Sequence, residues 1–145
     1  MCSICGIFGQ QSETAIGAMN APMYRRGPDQ NGFFQSGDLA FGHNRLAVID
    51  PEHGVQPMTV TYRGNQYTIV YNGEIYNKEE LNRELSLAGI RVETRSDTET
   101  VLWSFVHWGK DCPSKLNGIF AFAVYDKEAD LLFLCRDRLG VKPLY

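Results

Sequence analysis

Ile119 to Tyr125 is the longest unbroken apolar run of the 145-residue chain, and it limits the fold more than any other feature. It is far short of the roughly 18 residues that a membrane-spanning helix needs. It is also too apolar for a strand that keeps one face in water. A second apolar run, Leu131 to Cys135, follows across Asp126-Lys127-Glu128-Ala129-Asp130. The pair predicts a hairpin of central strands buried on both faces, with helix on the far side.

The remaining segments supply partners. Ile4 to Phe8 reads as a short buried strand, and Ser12-Glu13-Thr14-Ala15 starts a brief helix that Pro22 must stop. Gly32-Phe33-Phe34 and Leu39-Ala40-Phe41 flank Ser36-Gly37-Asp38, while Tyr62 and Tyr67 to Val70 flank a Gly64-Asn65 turn, so two antiparallel hairpins are expected. Asn77 with Glu80 has capping-box spacing, Leu81, Leu85 and Ala88 share a face, and Gly89 ends the run. Ser96 with Glu99 repeats the signal, Leu102, Phe105 and Trp108 give the apolar side, and Gly109 closes that helix. Strand hairpins with consecutive helices between them predict an α+β fold of packed, mainly antiparallel sheets with helices outside.

Residues 1–145 are expected to form one domain without repeats or linkers. A net charge of −3 with no long run of either sign argues against a nucleic-acid grip or a polybasic membrane patch. Only Met1 precedes Cys2, so no signal sequence is read and the four cysteines are expected in a reducing cytoplasm. The chain stops at Pro143-Leu144-Tyr145 without a capping element, which reads as a domain cut before its last strands.

Cys2 is the most informative position for chemistry. Removal of Met1 would leave a thiol and a free α-amine on one residue, and these titrate near pH 8.5 and 8. The amine could then take the thiol's proton as sulfur bonds to an acyl carbon. The alternative is an accidental small residue at a frayed end. Cys2 and Cys5 also form C-x-x-C, but a redox motif sits between a strand and a helix, and no strand can precede Cys2. Zinc would need a second pair, whereas Cys112 and Cys135 lie 23 positions apart and His43, His53 and His107 have no ligand spacing, so no metal is expected. Cys112 and Cys135 read as core thiols.

Asn72-Gly73-Glu74 follows an apolar strand, whose end could aim an amide and a glycine N–H at a developing oxyanion. It could equally be a plain Asn-Gly turn. Arg45, among Leu46, Ala47, Val48 and Ile49, could hold a substrate carboxylate bidentately or pair internally with Asp50 or Asp97. Asp97 could cap a helix or also bind a substrate ammonium group. Arg26-Gly27-Pro28-Asp29 reads as a rigid structural turn.

Taken in order, these stretches resemble the class II, N-terminal-nucleophile type of glutamine amidotransferase domain, most closely that of glutamine-hydrolysing asparagine synthetase. The resemblance runs through Met1-Cys2-Ser3-Ile4, Arg26-Gly27-Pro28-Asp29, Gly42 to Leu46, Gln56-Pro57-Met58, Tyr71 to Asn77 and Ser96 to Glu99. It continues through Leu116 to Phe122 and Arg136 to Gly140 to Pro143-Leu144-Tyr145. It implies a four-layer αββα fold in which the Cys2 thiolate attacks the side-chain amide of L-glutamine. Asn72 and Gly73 would form the oxyanion hole, and Arg45 would bind the substrate α-carboxylate. Asp97 and Glu74 would take the amino end, and Leu46, Ala47, Val48 and Ile49 would line the pocket by backbone contacts.

The implied partner is a synthetase domain, downstream or separate, that uses the ammonia to make asparagine from aspartate. ATP and magnesium belong to that half, and no cofactor is expected in this chain. A homodimer is a further expectation. Arg25 stands where the resembling domains have His, and Cys5-Gly6-Ile7-Phe8-Gly9 mimics their start, which keeps Cys5 as a second candidate nucleophile. A different class of function, an inactive binding or regulatory module retaining the pocket, also fits the sequence.

Overall fold

The computed structural model describes residues 2–9 and 12–145, apart from the side chains of Ser12 and Glu13. Met1, whose removal bears on the chemistry of Cys2, lies outside the described residues. The chain runs β1 (Ser3–Phe8), α1 (Ser12–Asn20), a 3-10 segment Ala21–Arg26, β2 (Gln30–Ser36), β3 (Leu39–Arg45), β4 (Met58–Tyr62) and β5 (Asn65–Ile75). It continues through α2 (Lys78–Leu87), α3 (Asp97–Trp108), the short α4 (Cys112–Lys115), β6 (Gly118–Asp126) and β7 (Leu131–Arg136). Two antiparallel sheets result, ordered β1-β3-β2 and β4-β5-β6-β7.

Strand alternation divides the core into layers. Leu39 and Phe41 of β3 meet Val70 of β5 and Ala123 and Tyr125 of β6 between the sheets. The opposite faces of β5 and β6, with Ile69, Tyr71, Ile75, Phe120, Phe122 and Val124, pack against Leu81 of α2 and Val101, Leu102 and Phe105 of α3. On the other side of the first sheet, Asn20 of α1 reaches Asn44 of β3. The order of layers is helix, sheet, sheet, helix, as expected. No helix among the described residues is long and apolar enough to cross a membrane.

β6 is buried on both faces as its composition requires, and β7 is less covered. Among the described residues it forms the edge of its sheet, and Leu131 and Leu134 are exposed at 47% and 56%. Phe133 and Leu132 still pack into the two cores on either face. The same apolar content therefore serves an interior strand in one case and an edge strand in the other.

Other differences are local. The β4–β5 turn is Arg63-Gly64 rather than Gly64-Asn65: both residues have positive φ, 51° and 88°, matching a primed hairpin turn. Asn77 does not cap α2 with its side chain. Its amide instead donates to the Lys115 carbonyl at 3.0 Å and accepts from the Asn117 N–H at 2.9 Å, tying the helix start to the approach to β6. Ala88 is exposed, and Ile90 beyond Gly89 buries in its place. Ser96 does cap α3, accepting from the Glu99 N–H at 3.3 Å, and Gly109 ends the helix.

Candidate active site

Pairing of β1 with β3 sets Ser3 opposite Asn44, which places Cys2 beside the end of β3. Its Sγ lies 3.8 Å from the Leu46 carbonyl. From there a cavity of about 270 Å³ opens between the end of β3, the last part of β5 and the start of α3. Cys2, Arg45, Leu46, Val48 and Ile49 line one wall, and Asn72, Gly73, Glu74 and Asp97 line another. Ala47 alone among the expected site residues is not part of the lining. Its N–H donates to the Asp29 carboxylate at 2.8 Å, while Asp29 N–H reaches the Arg45 carbonyl at 3.0 Å. The Arg26-Gly27-Pro28-Asp29 turn is thus a buttress behind the wall. Gly27 is required there because a Cβ would fall 2.5 Å from the Arg45 backbone.

Cys5 is elsewhere. It sits within β1 opposite Gly42, with its Sγ near Asn20 and the Gly42 carbonyl, and burial pushes its thiol pKa up, against a smaller lowering by the Gly42 backbone. It does not reach the cavity. Cys112 and Cys135 belong to the helix-side core, where burial pushes their thiols up to about 12 and about 11.

Asn72-Gly73-Glu74 is not a turn: it lies near the end of β5, which closes at Ile75 and is paired with β6 up to that residue. In antiparallel pairing, the hydrogen-bonding groups of alternate residues point to the same strand edge. Phe120, opposite Gly73, spends its N–H on the Asp137 carboxylate and its carbonyl on the Asp137 N–H, towards β7. The N–H groups of Tyr71, Gly73 and Ile75 therefore share the edge facing away from β6. Tyr71 N–H goes to Gln56 Oε1 at 2.7 Å and Ile75 N–H to Asp97 Oδ2 at 2.9 Å. Between them β4 has ended, so the Gly73 N–H is left at the cavity edge. A Cβ on Gly73 would come within 2.8 Å of Phe120 Cα, so only glycine lets the strands close here.

Arg45 is buried, and all four of its Nη–H donors are engaged. Nη1 reaches Gln30 Oε1 and the Pro51 carbonyl, and Nη2 reaches the Ile49 and Asp50 carbonyls, at 2.6–3.0 Å. The fork thus grips the β3–β4 loop, and a substrate carboxylate would meet it in exchange for some of these contacts. Its internal partners are Gln30 and the loop carbonyls, that of Asp50 among them, and not the carboxylate of Asp50 or Asp97. Arg45 still lines the cavity. Gly54 closes the loop where a Cβ would meet that guanidinium, 3.2 Å from its Cζ.

Asp97 is buried as the first residue of α3. Lys78 Nζ stands 3.5 Å from its second carboxylate oxygen. Residues not singled out as site residues also line the cavity. Gln56 links both walls, donating to Thr98 Oγ1 at 2.9 Å while accepting from Tyr71, and the buried Lys142 enters from the last segment. Asp137 folds that segment by accepting from the N–H groups of Leu139, Val141 and Lys142. Burial raises the Asp137 carboxyl, but these N–H donors and that of Phe120 outweigh it and hold its pKa below the usual carboxylate range. Among the described residues, no three His, Cys, Asp or Glu side chains gather where they could hold a metal ion.

Known proteins resemble this chain in sequence and in fold. The chain is 47% identical over 150 residues to the glutamine-hydrolysing asparagine synthetase 3 of Bacillus subtilis, and 40% identical over 152 residues to asparagine synthetase 1 of that organism. These matches cover 98% and 100% of the chain but 24% of each relative, so it spans about a quarter of their length. The fold resembles that of the allosteric regulatory enzyme of purine biosynthesis, with TM-score 0.76 and 21% identity over 99% of this chain and 38% of that one. It also resembles glutamine phosphoribosylpyrophosphate amidotransferase from B. subtilis, with TM-score 0.72 and 22% identity over 88% of this chain and 35% of that one. The glutamine amidotransferase domain family matches residues 1–145, and the chain belongs to that family.

Proposed function

We propose that this domain hydrolyses L-glutamine to glutamate and ammonia through a thioester on Cys2. After loss of Met1, the Cys2 α-amine takes the thiol proton as Sγ bonds to the side-chain amide carbon. The oxyanion is held by the Gly73 N–H and the Asn72 amide. The amine returns the proton to the departing nitrogen, and ammonia leaves. Water then attacks the thioester with the amine again as base, releasing glutamate and restoring the thiol. The α-carboxylate sits against the Arg45 charge and the backbone of residues 46–49, and Asp97 and Glu74 face the α-ammonium. The ammonia then goes to a synthetase domain, downstream or separate, that uses ATP and magnesium to form asparagine from aspartate in the cytoplasm, a reading supported by the likeness to glutamine-hydrolysing asparagine synthetases.

The observation that carries this reading is that Cys2, and not Cys5, shares the cavity with Gly73. Its test is ammonia release from glutamine by chain verified as lacking Met1. Cys2→Ala and Cys2→Ser should abolish turnover while Cys5→Ala retains most of it. The reverse pattern would overturn the assignment, and a folded, processed chain without turnover would favour an inactive binding module.

A further inference from the structure

Asp50 does not line the cavity, yet its carboxylate joins the two elements that do. Oδ2 accepts from the Arg95 N–H at 2.9 Å, two residues before Asp97, and Oδ1 accepts from the His53 N–H at 3.3 Å and meets His53 Nδ1 at 2.9 Å. Its own carbonyl is gripped by Arg45 and by the Gly54 N–H. The residue is held at φ 47°, a left-handed conformation that Asp and Asn tolerate better than most side chains. Lys78 Nζ donates to the Arg95 carbonyl at 2.9 Å, so the backbone of Arg95 is held through both its N–H and its carbonyl.

We propose that Asp50 is a positioning residue: its bridge to the Arg95 N–H fixes the gap between the Arg45 loop and Asp97, and so the spacing at which the two charged ends of the substrate are held. This rests on the reading of the cavity as a glutamine site. Both ends of an α-amino acid are recognised in the ground state and in the transition state alike. Loosening the gap therefore weakens binding without removing a contact to the oxyanion.

Asp50→Asn keeps the left-handed preference and the carbonyl contacts but loses the charge and an acceptor. In the full chain its KM for glutamine should rise about three- to tenfold, the loss of one charge-assisted hydrogen bond at a partly exposed site, with kcat within about twofold. Alkylation of Cys2 by a chloroketone analogue of glutamine should slow by a similar factor, while alkylation by iodoacetamide stays unchanged. His53→Ala removes only the contact within the loop and should leave KM near the parent value. An unchanged KM in Asp50→Asn overturns the proposal. A parallel fall in kcat, iodoacetamide rate and melting temperature overturns it too, because that marks a merely structural role. Equal KM effects in His53→Ala and Asp50→Asn would place the effect in the loop itself and not in the bridge, again against the proposal. If the parent chain neither turns over glutamine nor takes the chloroketone at Cys2, it is the reading of the site that fails, and the proposal falls with it.

Discussion

Gly73 is where sequence and geometry constrain each other most closely. Its N–H is set at the cavity because the neighbouring N–H groups on that edge are taken by Gln56 and Asp97, and its lack of a side chain lets β6 approach. Gly73→Ala should therefore cost about 1–3 kcal/mol in stability, the usual cost of forcing extra volume into a packed contact. It should also lower kcat far more than it changes KM. Urea unfolding together with steady-state ammonia release would check both, and an alanine variant with parental kcat would show that this N–H does not meet the oxyanion. That Cys2, Asn72, Gly73 and Asp97 are candidates for one site is legible because a cysteine next to the first residue, an Asn-Gly pair and an acidic helix start are local signals, and all four line the cavity. Gln56 and Lys142 were not legible, since a glutamine before a proline and a lysine near the last residues carry no chemical signature until the fold brings both to the cavity. The role of Arg45 was half legible: its isolation among apolar residues marked it as a charge needing partners, but the carbonyls that supply them belong to a loop whose path no periodicity describes.

Among the elements, α3 connects stability to the site most directly. Ser96 takes the Glu99 N–H and exchanges hydrogen bonds with Thr94, and the Glu99 carboxylate turns back to the N–H groups of Glu93 and Thr94. Ser96→Ala should destabilise the chain by about 1 kcal/mol, the ordinary value of an N-cap, and Ser96→Thr should recover most of it. Thermal melts of the two variants would decide, and equal melting temperatures for alanine and parent would show that the Glu99 return loop alone sustains the helix start. The helix ends at Ser96, Gly89 and Gly109 were readable because capping is decided within a few residues. Asn77 misled because its side chain is recruited by the Lys115 and Asn117 backbone, nearly forty positions away. The apolar run of β7 marks a strand that can be buried, and among the described residues it stands at the edge of its sheet with part of that surface exposed.

At the scale of the whole molecule, the two sheets meet across His43, and this junction is sensitive to acid. The ring is fully buried in β3, with Nε2 3.3 Å from the Tyr71 carbonyl of the facing sheet and Nδ1 without a partner. Burial lowers its pKa from 6.5 to about 4, with the Tyr71 carbonyl opposing the shift and the Arg45 charge adding to it. In the window between those values the unfolded chain binds the proton and the folded chain does not, so stability rises with pH there and falls on acidification. A shift of that size is worth about 3 kcal/mol, a substantial part of a domain's margin of about 5–15. Asp50 and Asp137 have pKa values lowered from 3.8, so their contribution is intact across this window and is lost only in stronger acid. His53 and His107 are exposed and leave the inter-sheet contact to His43 alone among the three histidines. Urea unfolding at pH 7 and pH 4.5 should thus show the parent chain losing a few kcal/mol, while His43→Gln, which keeps a donor for the Tyr71 carbonyl, should lose much less. Equal acid sensitivity in the two chains would mean that His43 accepts a proton without separating the sheets, and that the acid response originates in the carboxylates.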